Sequence, residues 1–212
     1  MTAKVKICGI TREEDAATAV EAGATMVGFI FDPSSRRFIR PVDAARIVRM
    51  LPSSVVPVGV FVDAPREEVT RSVGESGVRC IQLHGEETPE ATEGYAVPVI
   101  KGIRVRPGFD PNVVRRYSVH AVLLDAFVEG QHGGTGVSFD WAIATKAASF
   151  ARIVLSGGLT SENVREAIRR VRPYAVDVSS GVERSPGIKD HEKIRRFIET
   201  VRSSPVHEDV RN

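Results

Sequence analysis

The stretch KVKICGITREEDAATAVEAGATMVGFIF, residues 4–31, reads as one strand–helix–strand unit, and the rest of the chain follows its pattern. Side chains alternate across a strand, so Lys4, Lys6 and Cys8 share one face and Val5 and Ile7 the other, with Gly9 turning the chain out of the strand. Thr11 stands where a helix N-cap belongs, Ala16, Ala17 and Val20 recur at helical spacing over Arg12 to Ala22, and Gly23 falls where that helix should stop. The run from Met26 to Phe31 is nearly all apolar, as a parallel strand covered on both faces must be. Two such strands joined by a helix make a β-α-β unit.

The unit repeats. Helices are expected over Pro41 to Leu51 and Pro65 to Glu75, and strands over Val55 to Val62 and Arg79 to Leu83. A short helical segment after Thr88, a strand Val97 to Ile103, a weaker helix Pro111 to Arg116 and a strand His120 to Asp125 come next. A helix Ser138 to Ala148, a strand Arg152 to Ser156, a helix Ser161 to Val171, a strand Tyr174 to Val178 and a last helix Asp190 to Arg202 complete the series. Residues 203–212 read as a flexible C-terminal tail. No Pro/Gly/Ser-rich linker divides the chain, so one catalytic domain over residues 1–202 is expected. Regular alternation means an α/β fold with a parallel sheet, and closure of eight units gives a single-domain (β/α)8 TIM barrel. An open, doubly wound sheet is the alternative; the first turn, Cys8-Gly9-Ile10-Thr11, lacks the G-x-G-x-x-G of that class.

Composition narrows the function. With 42% hydrophobic and 26% charged residues among 212, the chain can bury a sizeable core. The net charge of +2 includes no basic block interleaved with aromatics, so no nucleic-acid partner is expected. No apolar run approaches the ~20 residues that span a bilayer, and the first residues are not those of a signal peptide, so a cytoplasmic protein with no membrane partner is expected. Cys8 and Cys80 lie far apart without metal-ligand spacing, which supports neither a disulfide framework nor a metal site. Lys4 and Lys6 lead up to Cys8, and neighbouring positive charge would lower a thiol pKa; the other reading of Cys8 is a small buried hydrophobe.

In a barrel, active sites are built from strand C-terminal ends and the loops after them. Cys8, Gln82, His84, Lys101, Asp125 and Asp177 all stand near such ends in otherwise apolar runs, and their convergence on one rim is the signal. Ser156-Gly157-Gly158-Leu159-Thr160 and Ser179-Ser180-Gly181-Val182 follow the last two strands, where glycines let backbone N–H groups approach a phosphate. Arg36 and Arg37 offer bidentate contacts suited to a carboxylate. The glycine-rich loop Gly130 to Gly136 is either a lid or a surface loop.

Lys6-Ile7-Cys8-Gly9-Ile10-Thr11, Pro33-x-Ser35-x-Arg37, Gln82-Leu83-His84-Gly85, Leu123-Leu124-Asp125, Gly133-Gly134-Thr135-Gly136, Phe139-Asp140-Trp141, Leu155 to Leu159 and Asp177 to Glu183 occur in this order. In this set, from about Lys4 to Phe197, the chain resembles the phosphoribosylanthranilate isomerases of tryptophan biosynthesis. The resemblance implies an Amadori rearrangement of a phosphorylated small molecule, with no cofactor and no metal. By residue match it implies Cys8 as general base, Asp125 as general acid, Arg37 on the anthranilate carboxylate and Asp177 on a sugar hydroxyl. Backbone around Gly157, Gly158, Ser180 and Gly181 would hold the phosphate, with His84 adjacent. Asp32 departs from the expected aromatic or small residue, and residues 129–132 are not diagnostic. Two rivals stay in view. A bifunctional histidine and tryptophan pathway isomerase resembles this barrel but has aspartate where Cys8 stands, and a non-catalytic phosphate-binding barrel would be expected to have lost Cys8 or Asp125. Both a monomer and a homodimer remain open.

Overall fold

The computed structural model describes residues 2–126 and 141–204. Strands β1 (Lys4–Ile7), β2 (Met26–Ile30), β3 (Val56–Phe61), β4 (Cys80–Leu83), β5 (Val99–Val105), β6 (Ala121–Ala126), β7 (Ile153–Ser156) and β8 (Ala175–Val178) form a closed barrel in sequence order. All pairings are parallel, and β1 closes the ring against β8 with Lys6 opposite Asp177 and Ile7 opposite Val178. The open-sheet alternative is thereby removed.

Helices α1 (Glu13–Ala22), α2 (Pro41–Met50), α3 (Arg66–Ser76), α4 (described over Trp141–Ala148), α5 (Val164–Val171) and α6 (His191–Arg202) pack around the wall. Strand alternation divides the apolar residues into two bodies. Val5, Ile7, Val27, Phe29, Ile81, Leu83, Val122, Leu124 and Val176 face outward into the belt between strands and helices. Met26, Val58, Cys80, Ile100, Leu123, Val154 and Ala175 fill the barrel's lower interior. Above that plug the interior turns polar, with Lys6, Gln82 and Asp177 all buried. Among the described residues no helix is long and apolar enough to cross a membrane.

Several elements depart from expectation. The connections after β4 and β5 are 3₁₀ turns, Glu90–Thr92 and Pro111–Arg116, rather than α-helices. Helix α5 begins at Val164 instead of Ser161, because Asn163 binds back into the preceding loop, accepting from Thr160 N and donating to Gly158 O. Thr11 does not cap α1; its hydroxyl donates to Gly187 O at 2.5 Å, and Arg12 occupies the cap position without a side-chain cap bond. A small antiparallel hairpin, β9 (Glu183–Ser185) and β10 (Ile188–Lys189), precedes α6. Of the expected tail, Ser204 is still buried against α6, its hydroxyl donating to Thr200 O; residues 205–212 lie outside the described residues, as do the start of the helix expected from Ser138 and the loop Gly130 to Gly136.

Candidate active site

Cys8 directly follows β1, its N–H bonded to Val178 O at 2.9 Å and its side chain in the upper barrel, 6% exposed. Gly28 on β2 makes room for it. A Cβ there would stand 2.8 Å from Cys8 Sγ and 3.0 Å from Lys6 Nζ. Lys6 is fully buried and has the acidic company its depth requires: Nζ lies 2.9 Å from Asp177 Oδ1. Burial lowers the pKa of Lys6, but the charge and hydrogen bond of the Asp177 carboxylate outweigh it and raise the pKa, so the ammonium persists. For Cys8 the balance runs the other way. Burial pushes the thiol up, Lys6 and Lys189 pull it down, and burial wins with the help of Asp177. The thiol therefore rests protonated: the lowering expected from neighbouring positive charge is present at Lys6, but burial outweighs it.

Asp125 ends the inward face of β6 across the mouth, its side chain 34% exposed. His84, just past β4, places Nε2 at 3.3 Å from Asp125 Oδ2 and Nδ1 at 2.8 Å from Gln82 Nε2. With the amide donating, Nδ1 accepts and the imidazole proton falls on Nε2, facing the carboxylate. Gln82 Oε1 is buried without a partner among the described residues. Gly102 on β5 is the socket of the ring: a Cβ there would lie 2.4 Å from His84 Nδ1.

Of the two adjacent arginines only Arg37 turns inward. Arg36 stays exposed. The Arg37 stem crosses the Gly9 turn, where a Cβ would meet its Cδ at 2.7 Å, and Gly9 has φ +74°. Its Nε and Nη2 each lie 2.8 Å from Glu183, on Oε1 and Oε2. Asp32, the departure from the family pattern, shapes the loop by accepting from Ser34 N at 3.0 Å and from its hydroxyl.

The loops after β7 and β8 abut. Gly157 and Gly158 both have positive φ, and Gly181 must be glycine because a Cβ would sit 2.1 Å from Leu159 O. Between them opens a cavity of about 580 Å³ whose lining includes Gly158, Thr160, Ser180, Gly181, Lys193 and Arg196. Asp177 is 5% exposed at the end of β8; Oδ1 is held by Lys6 and Oδ2 receives Ser156 Oγ at 3.3 Å.

Cys8, Arg37, His84, Asp125, Asp177 and the two loops thus stand at the same end of the barrel. Lys101 does not join them. It points outside the wall, where Nζ is 2.5 Å from Glu87 Oε2 and donates to Gly85 O, because its position on β5 has the opposite parity to inward Gly102. Sequence reading missed Gly28 and Gly102, whose meaning is the space they leave, and the pair Glu183 and Lys189. Among the described residues no group of three or more His, Cys, Asp or Glu side chains is arranged to hold a metal ion.

Residues 5–200 match the family model described as N-(5'phosphoribosyl)anthranilate (PRA) isomerase. The chain belongs to this family. An N-(5'-phosphoribosyl)anthranilate isomerase from Geobacter sp. strain M21 is 52% identical over 195 residues, covering 92% of this chain and 96% of that one. The crystal structure of the phosphoribosyl anthranilate isomerase from Thermotoga maritima superposes with a TM-score of 0.88 at 43% identity, covering 95% of this chain and 99% of that one. A second isomerase structure, in complex with reduced 1-(o-carboxyphenylamino)-1-deoxyribulose 5-phosphate, gives 0.84 at 43% identity with the same coverage of 95% and 99%. In this chain the strand ends gather a thiol, a carboxyl group, a guanidinium and two glycine loops. That set can give and take protons and hold an anion at each of two places.

Proposed function

We propose that the chain is a phosphoribosylanthranilate isomerase of tryptophan biosynthesis, converting N-(5'-phosphoribosyl)anthranilate to 1-(2-carboxyphenylamino)-1-deoxyribulose 5-phosphate. The observation that supports it most directly is the presence of both Cys8 and Asp125 at the barrel mouth in a chain of this family. In this reading Asp125 protonates the furanose ring oxygen, the C1–O bond breaks, and the nitrogen lone pair forms an iminium. Cys8 first gives its resting proton to solvent, the Lys6 ammonium favouring the thiolate; the thiolate then takes the C2 proton, and the electrons return to nitrogen as the enolamine forms. Tautomerisation passes the C2 hydroxyl proton to the Asp125 carboxylate and a proton from the Cys8 thiol to C1, which restores both groups.

Substrate binding divides along the mouth. Arg37 takes the anthranilate carboxylate, and Asp177, through Oδ2, a sugar hydroxyl. The backbone of Gly157, Gly158, Ser180 and Gly181 takes the phosphate, with Lys193 and Arg196 adding charge to that cavity. His84 gives Asp125 an N–H contact that steadies its carboxylate after ring opening. Residues 1–202 act as one catalytic domain in the cytoplasm.

Two measurements test this. The gene should restore growth without tryptophan to an isomerase-deficient strain, and purified protein should accelerate the fluorescence decay of freshly made substrate. Cys8→Ala and Asp125→Asn should each lower turnover by about 10²–10⁴-fold with an unchanged melting profile; near-normal turnover in either variant would remove that residue from its role.

A further inference from the structure

Glu183 lies within the site yet takes no part in the proton transfers. It opens β9 and is buried, with both carboxylate oxygens engaged. Oε1 accepts from Arg37 Nε and Lys189 Nζ, each at 2.8 Å, and from Gly187 N at 3.3 Å; Oε2 accepts from Arg37 Nη2 at 2.8 Å. Lys189 is equally buried on β10, and its Nζ also donates to Ser179 O at 3.2 Å. Two cations thus share one carboxylate, and the cluster keeps one positive charge for a ligand.

A guanidinium has five N–H donors in a rigid plane. Glu183 takes Nε and one hydrogen of Nη2. That leaves the end-on fork, Nη1 with the second hydrogen of Nη2, which is the other edge able to receive a carboxylate in bidentate fashion. The stem is fixed as well, since Cδ lies over the Gly9 turn where no other residue would admit it.

We propose that Glu183 is a positioning residue for carboxylate recognition: by clamping the side edge of Arg37 it freezes the guanidinium plane and leaves the end-on fork as a preformed receiver for the carboxylate on the substrate's aromatic ring, with Lys189 as its buried counter-charge. The inference rests on the assignment of Arg37 to that carboxylate. It adds a specificity element on the β9–β10 hairpin, which otherwise has no part in the chemistry. Preorganisation of this kind lowers the ordering cost of binding and leaves the chemical step alone.

Steady-state kinetics with the substrate and with its carboxylate-free analogue, N-(5'-phosphoribosyl)aniline, separate the possibilities. Glu183→Gln should raise KM for the substrate about tenfold, the size of one lost charged hydrogen bond, with kcat within about twofold, and leave KM for the analogue unchanged. Glu183→Asp should recover part of the loss. Thermal melts report folding, and Glu183→Gln with Lys189→Met, which leaves no unpaired buried ammonium, should show the same selective rise in KM. An equal rise for both substrates, or an unchanged KM for the carboxylated one, would overturn the proposal. If Arg37→Ala raises KM for the substrate while Glu183→Gln does not, only the role of Glu183 fails. If Arg37→Ala also leaves KM unchanged, the assignment of Arg37 fails with it.

Discussion

At the scale of the residue, Cys8 shows how far a sequence motif carries chemistry and where it stops. The residue type and its strand-end place are legible from residues 4–11, and so is the proximity of Lys6. The protonation state is not legible, because it depends on three quantities that exist only after folding: the depth of burial, the Lys6 distance, and the presence of Asp177, which shares the Lys6 charge and raises the thiol in turn. A resting thiol has a measurable consequence. Alkylation of Cys8 by iodoacetamide, followed on its own peptide, should rise with pH and reach half its maximal rate above the ordinary thiol value of 9.0. Half-maximal alkylation near neutrality would show instead that Lys6 wins over burial. Cys80 provides a second reading of the same effect: buried in the lower plug and pushed up to about 11 by desolvation, it too should react only at alkaline pH. The same limit hid Glu183, since nothing in a Val-Glu-Arg sequence announces that the carboxylate will turn inward onto an arginine 146 positions earlier.

The eight strands were readable at the scale of the element because each is a mainly apolar run or, in β1, a strict alternation, and the period-two alternation correctly separated Val5 and Ile7 on the helix side from Lys6 and Cys8 within. Elements too short for periodicity were not. The β9–β10 hairpin has strands of three and two residues, and the segments after β4 and β5 hold proline at the start of 3₁₀ turns of three and six. Lys101 shows that nearness to a strand end does not mean facing the mouth, since its parity on β5 turns it outward. Interior glycines were silent for a different reason: Gly102 matters through an absent side chain. Gly102→Ala would press a methyl against His84 Nδ1 and drive the ring from its place between Gln82 and Asp125. The expected cost is about 1–3 kcal/mol of stability from overpacking, with kcat down by about 10²-fold and KM little changed, since the residues proposed to hold the phosphate and the carboxylate lie on other elements. A variant with normal kcat would show that His84 does not need that position.

At the scale of the whole molecule, the barrel closes through a charged seam. Lys6 on β1 and Asp177 on β8 are register partners, so the bond that completes the ring also fixes the ammonium beside Cys8. The pH dependence of stability follows from the signs of the shifts. Lys6 is raised on folding, so its contribution is complete below 10.5 and is lost only as pH climbs through its still higher folded value. Glu87 and Glu183 are lowered: burial opposes this, but Lys101 in one case and Arg37 with Lys189 in the other outweigh it. Their contributions are present above 4.5 and lost as pH falls through the folded values, so urea midpoints should hold across neutral pH and decline in acid, less steeply in Glu183→Gln. The seam itself separates stability from chemistry. Removing one partner of a buried ion pair strands a charge, so Lys6→Met should cost about 3–5 kcal/mol in urea unfolding, whereas Lys6→Met with Asp177→Leu should regain most of that, because apolar pairs of similar volume replace buried ion pairs at little cost. That double variant should nevertheless fail in turnover, having lost the cation beside Cys8 and the carboxylate assigned to the sugar hydroxyl. A stable double variant without activity would mean that the barrel keeps its polar upper layer for the reaction. One that stays as unstable as the single variant would mean that the ion pair is what closes the ring.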